Sequence, residues 1–117
     1  MATKVSGRFY FKLTANGNLL GEWSNRDSIA AQPTSTESAD FDVSLGSPKT
    51  RGTFVGSYRS TWQENGVAVF ATLKIDLKPH VPDIFTLTWH SPSKGKPIFN
   101  GEGMLCDDIL VGDYHSF

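Results

Sequence analysis

Apolar and polar residues alternate with a period close to two along most of this chain, and Gly, Pro, Asn and Asp break the alternation at short intervals. Successive side chains on a strand point to opposite faces, so this pattern calls for strands with one buried and one solvated side. The expectation is an all-β fold. Eight segments carry the pattern: Val5 to Thr14, Leu19 to Asn25, Ala39 to Leu45, Thr53 to Gln63, Val67 to Leu77, Ile84 to His90, Ile98 to Leu105 and Ile109 to Ser116. No window joins a helix cap to an i, i+3, i+4 apolar stripe, and only Ser28 to Ser38 is compatible with one short helical turn.

The connections between these segments set the topology. Asn16-Gly17-Asn18 and Asn65-Gly66 tolerate positive φ, and Asp107-Asp108 is a tight polar turn between two apolar runs. Such links join antiparallel neighbours and leave no room for parallel crossovers. Strands in this order, with no helix to cover a face, form either a two-sheet sandwich or a closed barrel. The eight-stranded antiparallel up-and-down barrel is favoured because a closed meander has no unpaired edge.

A chain of 117 residues with 38% hydrophobic and 20% charged residues is expected to form a single domain, residues 1–117. The formal net charge of −1, with both signs dispersed, offers no electrostatic footprint for nucleic acid or an anionic membrane. No stretch approaches the roughly 20 apolar residues of a membrane span. The N-terminus has no apolar run of the signal-peptide kind, and the lone Cys106 has no partner for an internal disulfide. A cytoplasmic setting is expected from this, although a mature chain whose signal had been removed would read the same way.

An up-and-down meander places the loops after strands two, four and six at one end, the far rim. Trp23, Trp62 and Trp89, the three tryptophans, lie near the ends of those strands. All three are therefore expected at the far rim. Parity turns them inward: Trp62 shares a face with Phe54, Gly56, Tyr58 and Ser60, Trp89 with Phe85 and Leu87, and Trp23 with Leu19 and Gly21. Tyr114 on strand eight, inward with Leu110 and Gly112, ends near the same rim. The candidate ligand-binding set is Trp23, Trp62, Trp89 and Tyr114 as walls, with Tyr58, Ser60 and Asn25 as polar groups on the inner face. The long segment Ser24 to Ser38 and the loop Ser91 to Pro97 belong to that rim, where a long loop suggests a lid.

The runs Gly56-Ser57-Tyr58-Arg59-Ser60, Phe85-Thr86-Leu87-Thr88-Trp89, Phe99 to Leu105 and Leu110 to Tyr114, with the opening Leu13 to Gly21, resemble the strands of avidin-like and lipocalin-like (calycin) small barrels. The resemblance implies an antiparallel barrel, frequent oligomerisation and a small ligand at one mouth. Phe9, Tyr10 and Phe11 stand where avidins open their first strand with tryptophan and asparagine, and the serine loop motif that contacts biotin has no counterpart. Biotin is not the expected ligand.

Little points to catalysis. His80, His90 and His115 lack metal-ligand spacing, and Cys106 precedes two aspartates that would raise its pKa. No metal or cofactor is expected. Asp40 and Asp42, two apart on the third segment, would share a face, read mainly as a solvated outer face opposite Phe41 and Val43. The expected function is binding of an aromatic or apolar small molecule. The alternatives are a lectin stacking sugars on the same tryptophans, a motif-poor isomerase or cyclase, and an oligomeric interaction module. Outward Ile98, Met104, Ile109, Val111 and Phe117 make strands seven and eight the expected interface of a dimer or tetramer.

Overall fold

The computed structural model describes residues 5–25, 34–45, 53–93 and 95–117. Eight strands, β1 (Ser6–Leu13), β2 (Leu19–Asn25), β3 (Thr34–Phe41), β4 (Gly56–Glu64), β5 (Val67–Leu77), β6 (Ile84–His90), β7 (Pro97–Cys106) and β8 (Ile109–Ser116), pair in sequence order. β1 also pairs antiparallel with β8, so the sheet closes into an up-and-down barrel. A sandwich is thereby excluded. Among the described residues no helix is long and apolar enough to cross a membrane.

The turns follow from residues that accept positive φ. Asn65 and Gly66 sit at 52° and 76°, and Asp107 and Asp108 at 52° and 62°, which gives two-residue hairpins whose twist matches the flanking strands. Gly17, at 84°, completes the β1–β2 turn, which Thr14 closes through its backbone N–H to Asn18 O and through its Oγ1, which accepts from Asn18 N. The Asn18 side chain then accepts from Phe41 N at 2.9 Å and ties this turn to the end of β3.

The inner face carries the parity set of every strand. Phe11, Leu19, Ala39, Tyr58, Leu73, Ile75, Leu87 and Leu110 are fully or almost fully buried in the lower and middle lumen. The near end is plugged. Residues 53–55 leave the sheet before β4 begins at Gly56, Phe54 packs edge-on against Phe85 with centroids 6.2 Å apart, and Tyr58 donates its hydroxyl to Phe54 O at 2.7 Å. Burial pushes the Tyr58 hydroxyl up to about 12, so it stays a donor throughout the physiological range.

The bounds of β3 differ most from the sequence expectation, and β4 begins at Gly56 rather than Thr53. β3 starts at Thr34, five residues before Ala39, and stops at Phe41, after which Val43–Leu45 form a short 3-10 turn. Thr34 to Ser38 are therefore strand and not part of a long loop or a helical turn, with Thr34 paired to Ser24 and its hydroxyl donated to Trp23 O. The remainder of that segment, residues 26–33, lies outside the described residues. Asp40 and Asp42 consequently do not form a shared face. Asp40 faces outward opposite Arg59, whereas Asp42 lies beyond the strand and accepts from Ser44 and from Arg59 Nε at 2.5 Å. The Ser44 hydroxyl, then Arg59, hold the Asp42 carboxyl down to about 2.

Glycine permits close strand packing on the β2–β1–β8–β7 wall. A Cβ at Gly112 would collide with the carbonyl oxygen of Glu102, and the opposed inner position of β1 is occupied by Phe9. Gly112→Ala is expected to cost about 3 kcal/mol or more, since backbone rather than a yielding side chain must move. Gly17→Ala, which meets no atom and suffers only from its positive φ, is expected to cost about 1 kcal/mol. Urea denaturation of both variants checks the contrast.

Candidate functional site

Among the described residues nothing fills the far half of the lumen. Above the plugged half lies a cavity of about 240 Å³, larger than the roughly 150 Å³ that holds a benzene ring. Its walls come from all around the barrel: Phe9 on β1, Trp23 on β2, Trp62 on β4, Trp89 on β6, Phe99 on β7 and Tyr114 on β8. The rings brace one another edge to face. Trp62 meets Phe99 at 6.4 Å, Phe99 meets Tyr114 at 5.7 Å, Tyr114 meets Trp89 at 6.3 Å, and Trp89 meets Phe9 at 5.7 Å. Such contacts add about 0.5–1.5 kcal/mol each beyond area burial and hold the walls apart as a frame.

Strand parity explains why the tryptophans converge. Each lies near the far end of an outbound strand and on its inner face, and they are only 7%, 6% and 4% exposed for Trp23, Trp62 and Trp89. Tyr114 reaches the same cavity, with its hydroxyl donated to Asn25 Oδ1, so Asn25 is at the mouth as well. Burial, then the nearby Glu37 and Glu64 carboxylates, push the Tyr114 hydroxyl up to about 12. The other two expected polar groups are placed differently. Tyr58 lies in the plugged half, near the start of β4, and does not line the cavity. Ser60, one inward step farther along β4, serves the site indirectly.

The residue that Ser60 serves is Glu37, which the sequence reading did not single out. Glu37 is an inner-face residue of β3, directly opposite Trp62 on β4, and is 4% exposed. Ser60 donates its hydroxyl to Glu37 Oε2 at 2.5 Å. Trp89 Nε1–H, from β6, three strands away around the barrel wall, crosses the lumen to the same oxygen at 2.8 Å. Burial dominates over these two donors and raises the carboxyl to about 7. The site thus contains an acid poised between its two states near neutral pH. At the rim, Trp62 Nε1–H donates to Glu64 at 3.2 Å. Trp23 Nε1 is different: among the described residues it is the buried side-chain polar atom with no hydrogen-bond partner.

A sequence signal for Glu37 existed. It stands two and four residues before Ala39 and Phe41, so extending the inward parity of that segment toward the N-terminus would have reached it. The Ser- and Thr-rich stretch around it carries no apolar alternation and reads as loop.

The chain matches no protein-family model, and the comparisons with curated proteins and with solved structures give no significant match.

Glu37 makes stability depend on pH with a definite sign. Its folded value lies above the ordinary 4.5, so the folded state holds the proton more tightly and its contribution is fully present below that value and lost as pH rises through about 7. The loss is on the order of 3 kcal/mol. In Glu37→Gln, whose side-chain oxygen still accepts from Ser60 and Trp89, this component of the decline between pH 4.5 and 7.5 is expected to vanish. Chemical denaturation of both proteins across that range checks it.

Proposed function

We propose that this protein is a small-ligand-binding barrel that takes an aromatic or apolar molecule through the far rim, as avidin-like and lipocalin-like barrels do with their own ligands. The observation that carries the reading is a cavity of about 240 Å³ with aromatic walls at one end of a barrel whose other end is packed solid. A core built only for stability would gain from filling that volume, because each void forfeits dispersion contacts on its lining. Trp23, Trp62, Trp89 and Tyr114 are the walls, Asn25 a rim group, and Ser60 a positioning residue for Glu37.

A lectin reading is disfavoured, since sugar stacking on an open platform requires exposed ring faces and these rings are buried. Iodide is therefore expected to quench the tryptophan fluorescence weakly; efficient quenching would restore the lectin. In a thermal-shift screen against small aromatic and apolar metabolites, a ligand at about one hundred times its Kd is expected to raise Tm by about 10 °C. Trp62→Ala is expected to reduce that shift and Trp89→Ala to abolish it. A blank screen with a folded protein would favour the interaction module.

The partner reading concerns the outside wall. Tyr10 on β1, Val111 on β8 and Met104 on β7 are register neighbours in one row and are 38%, 42% and 55% exposed. Phe117 is also exposed, whereas Ile98 and Ile109 are half-buried. We propose that a second copy of the chain covers this row. Sedimentation is expected to give a dimer or larger assembly that Val111→Lys converts to monomer.

A further inference from the structure

The cavity's electrostatic balance identifies the class of ligand it is built for. Two of its lining residues are acidic, Glu37 deep within and Glu64 at the rim, and none of the described lining residues is Lys, Arg or His. Glu37 has hydrogen-bond donors from Ser60 and Trp89, but both serve Oε2. Among the described residues no ion pair joins this carboxylate to a cation. A buried carboxylate without a counter-charge costs several kcal/mol, and an amide of the same shape would satisfy Ser60 and Trp89 without that cost. Around this carboxylate stand six aromatic rings, whose π faces attract a cation and whose edges exclude water. Finally, Trp23 Nε1–H is a donor on the same cavity with no acceptor among the described residues.

We propose that the occupant of this cavity is a small organic cation, an amine or quaternary ammonium on an apolar or aromatic frame, which also carries a hydrogen-bond acceptor. The proposal rests on the reading of the cavity as a ligand site. The ammonium supplies a counter-charge that no described residue gives Glu37, and it lies against the aromatic walls. The acceptor answers Trp23. A ligand of this kind meets Glu37 and Trp23 at once, whereas an anion would face two carboxylates and a hydrocarbon would meet neither group.

Matched pairs of equal shape separate charge from fit. Choline against 3,3-dimethylbutanol, and 5-methoxytryptamine against 5-methoxytryptophol, each member carrying an oxygen acceptor, are titrated by calorimetry into the intact protein at pH 8. The cation of at least one pair is expected to bind about tenfold or more tightly than its neutral partner. Glu37→Gln is expected to erase that preference while leaving the neutral partner's affinity unchanged or improved. Glu64→Gln, at the exposed rim, supplies a second variant with a smaller loss should Glu37→Gln fail to fold. Equal or tighter binding of the neutral members would overturn the cation and leave the ligand pocket standing. No binding by any member, to the wild type or to either variant, would overturn both.

Discussion

The pairing of β1 with β8 is the constraint on which the rest of this molecule depends. It turns a meander into a cylinder, removes both sheet edges, and obliges every inward side chain to share one narrow lumen. A cylinder of this width has room for one layer of large side chains at each level. The chain spends its aliphatic residues and Phe54, Tyr58 and Phe85 on the near half, and its tryptophans on the far half. Phe9 gains its place in the wall because the register opposes it to Gly112 on β8, where a side chain would strike the neighbouring strand. Closure, glycine placement and ring packing are thus one arrangement.

Within that cylinder Glu37 is the exception to the apolar rule, and it is held with unusual economy. One donor comes from the adjacent strand and one from across the lumen, so the same carboxylate oxygen links β3 to β4 and to β6. The link orients Trp89 and fixes where the cavity ends. It also places negative charge where the Tyr114 hydroxyl and the Trp23 N–H, which has no partner among the described residues, meet the same space. A carboxyl raised by burial and surrounded by π faces is an electrostatic feature that a packing role alone does not require.

Much of this architecture was legible in the residues. The eight alternating segments, the Asn-Gly and Asp-Asp hairpins and the inward parity of Trp23, Trp62, Trp89 and Tyr114 follow from period two and turn chemistry, which act locally. What escaped was non-local. β3 enters the barrel with Ser35 and Glu37 on its inner side, so its first half shows no apolar alternation, and hydrophobic patterning fails where the inside is polar. Tyr58 and Ser60 share the correct face, but face alone does not give depth. Depth depends on the register between strands, which places Tyr58 in the plug and Ser60 beneath Glu37. Asp42 was joined to Asp40 by spacing, yet the strand ends one residue too soon for the pair to form.

The central claim is that a buried acid sits at the heart of an aromatic mouth, held by donors from two sides. It is tested most directly by following the side-chain carboxyl carbon of Glu37 by NMR as pH is varied, together with the indole N–H of Trp89. The account requires a midpoint near 7, with the Trp89 indole moving in step as its acceptor gains and loses a proton. A midpoint in the ordinary glutamate range near 4.5, with no response at Trp89, would mean that Glu37 is solvated and that the mouth is not assembled as described.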